Sequence, residues 1–244
     1  MTSKGDKLLA EMRSHANHKN VDGMARFGIV TTNALGLTTP YLRSLAKEHR
    51  GDHPLALELW KSGVFEARAL AAMIADPKKI SRREMDAWAK QFDNWAICDG
   101  VCIHLFRKSP SAHAAAQAWR ERKEEFVRRA GFTMMATLAV HDIEANDSVF
   151  KKYLTMIKLA ARDDRNGVKK AVNWALRQIG KRNKMLNAAA IRTAEEIRKQ
   201  PSSCAKWIAA DALRELRSVA VQRRLNERTL SYKKVLRKKN SSRS

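Results

Sequence analysis

An internal repeat of helical segments limits the possible folds of this chain more than any other pattern in its sequence. Apolar residues recur at intervals of three and four, glycine and proline are sparse, and strand-like alternation is nearly absent. Four segments resemble one another and, with the helix around Trp95 inserted among them, follow at steps of roughly 30 to 40 residues. They are EARALAAMIAD from Glu66, VRRAGFTMMATLAVHD from Val127, VKKAVNWALRQIG from Val168 and AKWIAADALREL from Ala205.

A repeat of this period predicts stacked helical hairpins. One hairpin cannot bury its apolar face alone, whereas a stack shares a continuous core. The length of 244 residues suits one large domain or an array of small units. We therefore predict an all-α chain of about a dozen helices, arranged as in HEAT and armadillo repeats.

Capping residues predict where several of these helices begin. Serine and threonine cap helix N-termini, and proline is favoured in the first turn. The predicted boundaries are Thr39 before Pro40, a capping box from Ser81 to Glu84, Ser109 before Pro110, and a break between two helices at Gln200-Pro201-Ser202.

The charge of the chain indicates the class of its partner. Lys and Arg number 48 against 25 Asp and Glu, a formal net charge of +23. Such an excess favours a polyanion, nucleic acid first and an acidic membrane surface second. Three repeat segments carry a basic residue followed by alanine near their start, namely Arg68, Arg129 and Lys170, and we expect these to line one surface.

Other features bear on location. No apolar run approaches the roughly 20 residues that span a bilayer. The N-terminal segment is polar, without the apolar core of a signal peptide. Three cysteines, Cys98, Cys102 and Cys204, make no even disulfide framework and favour a reducing compartment. We expect a cytoplasmic protein with no membrane partner.

The stretch DNWAICDG places an aromatic side chain and a carboxylate on one helical face. Trp95 and Asp99 are four residues apart, and positions i and i+4 of a helix lie one above the other. Two interpretations remain open at this point: a core tryptophan beside a solvated aspartate, or a site that needs both groups. Asp93 just before the pair is interpreted as a helix cap.

The spacing of the other reactive residues excludes most other kinds of catalytic or metal site. Cys98 and Cys102 share a helical face but lack the further ligands of a zinc site, so we interpret them as buried packing residues. No phosphate-binding loop or serine-hydrolase elbow occurs in the sequence. Among six tryptophans, we assign Trp60, Trp88 and Trp119 to the core. Trp174 stands apart because Lys170 and Arg177 flank it on its repeat helix.

In the order and spacing of these segments the chain resembles the DNA alkylation repair glycosylases, the AlkD-like family of HEAT-like solenoids. The resemblance runs over roughly residues 5 to 220. It is carried by MARF from Met24, LGLTTP from Leu35, the Trp95–Asp99 helix, VRRAGF from Val127 and VKKAVNWALRQIGKRN from Val168.

This resemblance implies a fold and a role for each matching residue. The fold is a right-handed α-solenoid whose concave basic face grips duplex DNA. The reaction is hydrolysis of the N-glycosidic bond of a cationic alkylated purine, without metal or cofactor. Trp95 and Trp174 match the tryptophans at the damaged nucleotide's sugar, and Asp99 matches the carboxylate. The resemblance also implies four DNA-binding residues, Arg26, Phe27, Arg129 and Lys170. Of these, Arg129 would hold the DNA backbone near the lesion.

The chemistry explains these residue types without the family. A cationic purine leaves as a neutral base, so no general acid is needed, and positive charge moves onto the sugar. A carboxylate about 4 Å away attracts that charge by roughly 4 kcal/mol at an effective dielectric near 20. Each tryptophan face adds about 0.5–2 kcal/mol of cation–π attraction.

The chain departs from the family pattern at two positions, with Ala96 for an acidic residue and Phe27 for a tyrosine, and both bear on lesion preference and rate.

The sequence thus predicts a monomeric glycosylase with a HEAT-like domain over residues 1–220 and a flexible basic tail over 221–244. From Gln222 onward the tail holds nine basic residues and one acidic residue, which suits either a phosphate anchor or a solubilising segment. Two other functions stay open: a catalytically inactive DNA- or RNA-binding scaffold, and an adaptor for an acidic protein partner.

Overall fold

A computed structural model describes residues 2–29 and 32–227, and every regular element in those ranges is helical. The chain divides into two compact units, one ending at Met134 and the other beginning at Met135. The helices are α1 Lys4–Ser14, α2 His18–Ala25, α3 Thr39–Glu48, α4 His53–Lys61, α5 Phe65–Ile74, α6 Arg82–Ala89, α7 Trp95–His104, a 3-10 turn Phe106–Lys108, α8 Ala112–Trp119, α9 Glu125–His141, α10 Asp147–Ala160, α11 Asn166–Gly180, α12 Lys184–Arg198 and α13 Ser203–Leu216. Residues 219–227 are also helical.

The predicted repeat coincides with alternate helices. The similar segments are α5, α9, α11 and α13, and the Trp95 segment inserted among them is α7. In the first unit α5 packs against both α3 and α7, while α6 packs against α8. In the second unit α11 packs against α13 and α10 against α12. Helices two apart in sequence therefore lie side by side, which is the pattern of stacked helical hairpins.

The predicted helix starts are partly confirmed. Ser81 forms the capping box with Glu84, and Ser202 caps α13 after the break at Pro201. Thr38, one residue before the predicted Thr39, caps α3. The prediction for Ser109 is wrong, because the 3-10 turn ends there and α8 begins only at Ala112.

Aromatic packing forms the core of the first unit. Trp60 and Trp88 stack with ring centroids 4.0 Å apart, and Trp119 packs on Phe106 at 5.4 Å. The assignment of Trp60, Trp88 and Trp119 to the core is confirmed, because they are 3%, 4% and 2% exposed. In the second unit Phe150 and Tyr153 are buried, and burial raises the pKa of Tyr153.

One glycine permits a close approach of two helices. A Cβ atom at Gly131 would lie 2.6 Å from the backbone nitrogen of Arg120, so α9 passes the end of α8 with no room for a side chain. This contact fixes the part of α9 that carries Arg129. Among the described residues, no helix is both long enough and apolar enough to cross a bilayer.

Candidate functional site

The start of α7 is fixed by Asn94. Its side-chain oxygen accepts hydrogen bonds from the backbone of Ala96 and Ile97, each 3.0 Å long. Asn94 is therefore the N-cap, and the assignment of that role to Asp93 is wrong. Asp93 instead accepts from the Asn94 side chain at 2.7 Å and from Arg68 at 3.1 Å. The cap makes Trp95 the first residue of the helix, so its side chain stands at the helix end.

The indole of Trp95 is exposed and held in place at one atom. Trp95 is 41% exposed, and its Nε1–H donates to the carbonyl oxygen of Phe27 at 2.9 Å. Phe27 is itself 72% exposed and follows Arg26, also exposed, in the turn after α2. Three of the predicted site residues, Arg26, Phe27 and Trp95, therefore come together at one exposed position in the first unit.

One turn further along α7, the carboxylate of Asp99 is held by two residues of α9. Arg129 donates from Nε to Oδ1 at 2.9 Å and from Nη2 to Oδ2 at 2.6 Å. Thr133 donates its hydroxyl to Oδ1 at 3.0 Å. This bidentate contact is the geometry in which an arginine binds a carboxylate most strongly. Both carboxylate oxygens are fixed in position, while the Asp99 side chain stays 14% exposed.

Arg129 keeps its charge although it is buried. Burial disfavours the guanidinium ion, but the hydrogen bonds and negative charge of Asp99 outweigh burial and raise the pKa of Arg129. Sequence analysis missed Thr133 as a member of this group. The sequence spacing could have indicated it, because Thr133 lies four residues after Arg129 and therefore on the same face of α9.

The cysteines behind Asp99 pack α7 onto α9. The thiol of Cys98 donates to the carbonyl oxygen of Phe126 at 3.4 Å, and that of Cys102 points to Ala130 at 3.9 Å. Both are buried, as predicted, and burial raises the pKa of the Cys98 thiol. Within the described ranges, no group of three or more His, Cys, Asp or Glu side chains could hold a metal ion.

The expected line of basic residues at the repeat starts is only partly exposed. Arg68 and Arg129 are 5% and 6% exposed, whereas Lys170 is exposed on α11. The expectation that all three line one surface is wrong, because the two arginines turn inward to carboxylates. The role of Arg129 in holding the DNA backbone stays a prediction.

Trp174 and Lys170 belong to the second unit, where Trp174 is half-buried on α11. Basic and acidic side chains are paired around it. Asn173 donates to Asp211 at 2.7 Å, and Arg177 and Lys181 each lie 2.6 Å from Glu215. The acidic residues of α13 therefore offset the charges that follow Trp174, and Lys170 stands outside these pairs.

Comparison with known proteins identifies the family. Residues 8–216 match the family model described as DNA alkylation repair enzyme. The chain belongs to that family. No curated protein matches it.

One solved structure shares the fold of this family member. One similar structure comes from "a new family of proteins related to the HEAT-like repeat DNA glycosylases with affinity for branched DNA structures". It is 20% identical, with a TM-score of 0.72 over 87% of this chain and 95% of that chain. A designed armadillo repeat protein in complex with the peptide (KR)4 is 14% identical, with a TM-score of 0.35 over 76% of this chain and 88% of that chain. The predicted all-α, HEAT-like class is confirmed.

Proposed function

We propose that this protein is a DNA glycosylase that hydrolyses the N-glycosidic bond of cationic N3- and N7-alkylpurines in duplex DNA. One observation carries the proposal: a carboxylate locked by Arg129 and Thr133 lies one helical turn from the exposed indole of Trp95. Such a pair suits a cationic sugar, which an indole face and a carboxylate both attract. Membership of the DNA alkylation repair enzyme family supports it.

In the proposed reaction, the C1′–N bond breaks and its electron pair moves into the purine ring, which leaves neutral. Positive charge develops on the sugar and is stabilised by Asp99 and the face of Trp95. A water oxygen then bonds to C1′, and the water loses a proton to solvent. The step needs no general acid and no cofactor, because the base already carries the charge that makes it a leaving group.

Arg129 changes what Asp99 contributes. A lone carboxylate about 4 Å from the sugar would give roughly 4 kcal/mol at an effective dielectric near 20, and the neighbouring guanidinium opposes part of that. In exchange, the oxygens need no reorganisation when charge develops. Oδ1 accepts from two donors, whereas Oδ2 accepts from one among the described residues, so Oδ2 has a lone pair left to orient the attacking water.

Binding to DNA follows from charge. The formal net charge of +23 makes phosphate contacts the main source of affinity and makes affinity fall steeply with salt. Arg26, Phe27, Lys170 and Arg129 are the DNA-binding residues of this proposal, and a role of Trp174 at the sugar stays a prediction. The tail over 221–244 supplies a further anchor, although its residues 228–244 lie outside the described residues. A single domain over residues 1–220, a monomeric state and a cytoplasmic location stay predictions.

A second candidate function is DNA binding without catalysis. The observation that favours it is the same ion pair, because Asp99 is largely buried and three of its hydrogen-bonding positions are occupied. The protein of similar fold described as having affinity for branched DNA would be the model for this activity. The two functions differ in whether damaged bases are released.

The deciding experiment is base release from defined duplexes, each holding one lesion. Strand scission after alkali measures excision, and free base is identified by mass. We expect release of 7-methylguanine and 3-methyladenine, with little release of uracil or hypoxanthine, since neutral lesions need a proton donor. Retained binding with no release of any base would favour the scaffold. Excision of uracil at a rate comparable to 7-methylguanine would contradict the mechanism.

A further inference from the structure

Helix α2 precedes the turn that contains Phe27, and it is not anchored by buried side chains. Helix α2, His18–Ala25, has no buried residue, although the turn after it supplies the carbonyl group that holds the Trp95 indole. Backbone bonds tie that turn to the helix, from Phe27 to Met24 at 3.0 Å and from Gly28 to Ala25 at 3.0 Å. The position of the Trp95 hydrogen bond therefore depends on whatever anchors the other end of α2.

That other end is bound to the loop before α3. The backbone N–H of Asn17 donates to Leu35 at 2.7 Å, and the Asn20 side chain donates to the Gly36 carbonyl at 2.8 Å. Gly36 has a φ of +71°, and a Cβ atom there would lie 2.1 Å from the Asn17 carbonyl oxygen. The loop and the start of α2 are thus in direct backbone contact, and no residue with a side chain fits at Gly36.

The loop is in turn held to α5 by one backbone hydrogen bond and by one buried carboxylate. Glu66 is 1% exposed and lies in the first turn of α5. Its oxygens accept from the backbone of Leu35 at 2.7 Å, Gly36 at 2.7 Å and Leu37 at 3.3 Å. Hydrogen bonds from N–H groups to an ionised carboxylate are among the strong ones in proteins. No other described side chain contacts the three consecutive N–H groups in this way.

We propose that Glu66 is a positioning residue for Trp95, acting through the loop and α2. The contacts form a continuous series. Glu66 on α5 binds the loop, the loop binds the start of α2, and the turn after α2 accepts the hydrogen bond from the Trp95 indole at the start of α7. Because α5 packs directly against α7, both ends of this series of contacts lie on one packed pair of helices. Glu66 touches no reacting atom. Its consequence for base release rests on the proposed function, but its effect on the indole does not.

The test uses fluorine NMR of the full-length protein labelled with 5-fluorotryptophan. Trp95→Phe assigns the Trp95 signal. In Glu66→Gln, an amide with one acceptor oxygen and two N–H donors replaces a carboxylate that accepts three bonds, so the loop loses acceptors. We expect the Trp95 signal to shift or broaden while those of Trp88 and Trp119 stay in place. Asn20→Ala removes the side-chain hydrogen bond between the loop and α2 but leaves the backbone bond from Asn17 to Leu35. It should move the same signal in the same direction by a smaller amount.

Glu58→Gln is the matched control. Glu58 also accepts a backbone N–H, from Gly5 at 2.8 Å, but on α4 and away from α2. It should leave the Trp95 signal unchanged. An unmoved Trp95 signal in Glu66→Gln overturns the proposal, as does an equal change of all six signals. Should Glu66→Gln fail to fold, the exposed Asn20→Ala decides by the same criterion.

Base release supplies the functional arm. If the indole must be placed accurately, Glu66→Gln should slow single-turnover release of 7-methylguanine by up to about a hundredfold, the cost of a misplacement near 1 Å. A wild-type protein that releases no base would remove the proposed function and leave the NMR result to decide on Glu66. A displaced indole with an unchanged rate would overturn the catalytic consequence alone.

Discussion

Arg68 and Arg129 occupy equivalent positions of the repeat, and the structure uses them differently. Both are buried in the first unit, and both pair with an aspartate on or just before α7. Arg129 meets Asp99, whose side chain is 14% exposed, through two hydrogen bonds. Arg68 meets Asp93, whose side chain is 46% exposed, through one. The partner carboxylate is mostly buried in one repeat and nearly half exposed to water in the other.

The contacts of Arg68 indicate that it stabilises the packing of the first unit. It donates from Nη2 to the Gln91 carbonyl at 2.5 Å, and its guanidinium lies 4.5 Å from the centroid of Trp60. Burial lowers the pKa of Arg68, against the opposing effect of Asp93, whereas the pKa of Arg129 is raised. A buried arginine at the start of a repeat helix is thus a shared feature. What distinguishes a candidate site is the geometry of the carboxylate that it holds.

The largest difference is expected in stability. Arg129→Ala leaves Asp99 largely buried and without its ion-pair partner, so unfolding free energy should fall by about 3–5 kcal/mol. Arg68→Ala leaves Asp93 partly hydrated and loses a cation–π contact and the hydrogen bond to Gln91, which together cost about 2–3 kcal/mol. Urea unfolding of both variants measures the contrast. Equal losses would mean that the two pairs are equivalent in energy.

Catalysis should separate the two aspartates. Asp99→Asn should slow single-turnover release of 7-methylguanine at least about tenfold, or roughly 1.4 kcal/mol, because the negative charge beside the sugar is lost. DNA affinity should be retained. Asp93→Asn is the matched control and should leave the rate unchanged, with folding of both checked by circular dichroism. An unaltered rate in Asp99→Asn would remove this carboxylate from the mechanism.

Thr133 offers a finer test of how Asp99 is held. Thr133→Val keeps the shape but removes the 3.0 Å hydrogen bond to Oδ1, worth about 1 kcal/mol. We expect base release to slow by about fivefold, which corresponds to that free energy. Thr137→Val, one turn along α9, should have no effect on the rate. A similar loss in both variants would point to a general loosening of α9.

Lys170 is the exposed one of the three basic residues near the repeat starts, and its substitution should have the smallest effect. Lys170→Gln removes one candidate phosphate contact, so the log–log salt dependence of binding to undamaged duplex should become shallower by about 0.9. Lys199→Gln, an exposed charge at the end of α12, is the control and should leave the slope unchanged. Indistinguishable slopes for the two variants would place Lys170 away from the DNA.

The comparison also shows where sequence reasoning stops. The repeat, the core tryptophans and the helix that unites Trp95 with Asp99 follow from local periodicity, because side chains three and four apart must share a helical face. The same periodicity placed Arg68 and Arg129 at helix starts but did not say which way they turn. The preference of aspartate for N-cap positions assigned the cap to Asp93, whereas the neighbouring Asn94 presents its oxygen to the backbone of Ala96 and Ile97.

The sequence alone determined the class of fold, the basic character and the residues that match the family, since composition and spacing are properties of the chain. The contacts of Arg129 and Thr133 with Asp99, and of the Phe27 carbonyl with Trp95, depend on the packing of the folded chain. Partners in these contacts are 30 to 68 residues apart in sequence. Helix packing brings them together, and a backbone carbonyl leaves no signature in the residue types. Periodicity fixes what each helix can present, and packing fixes what it meets.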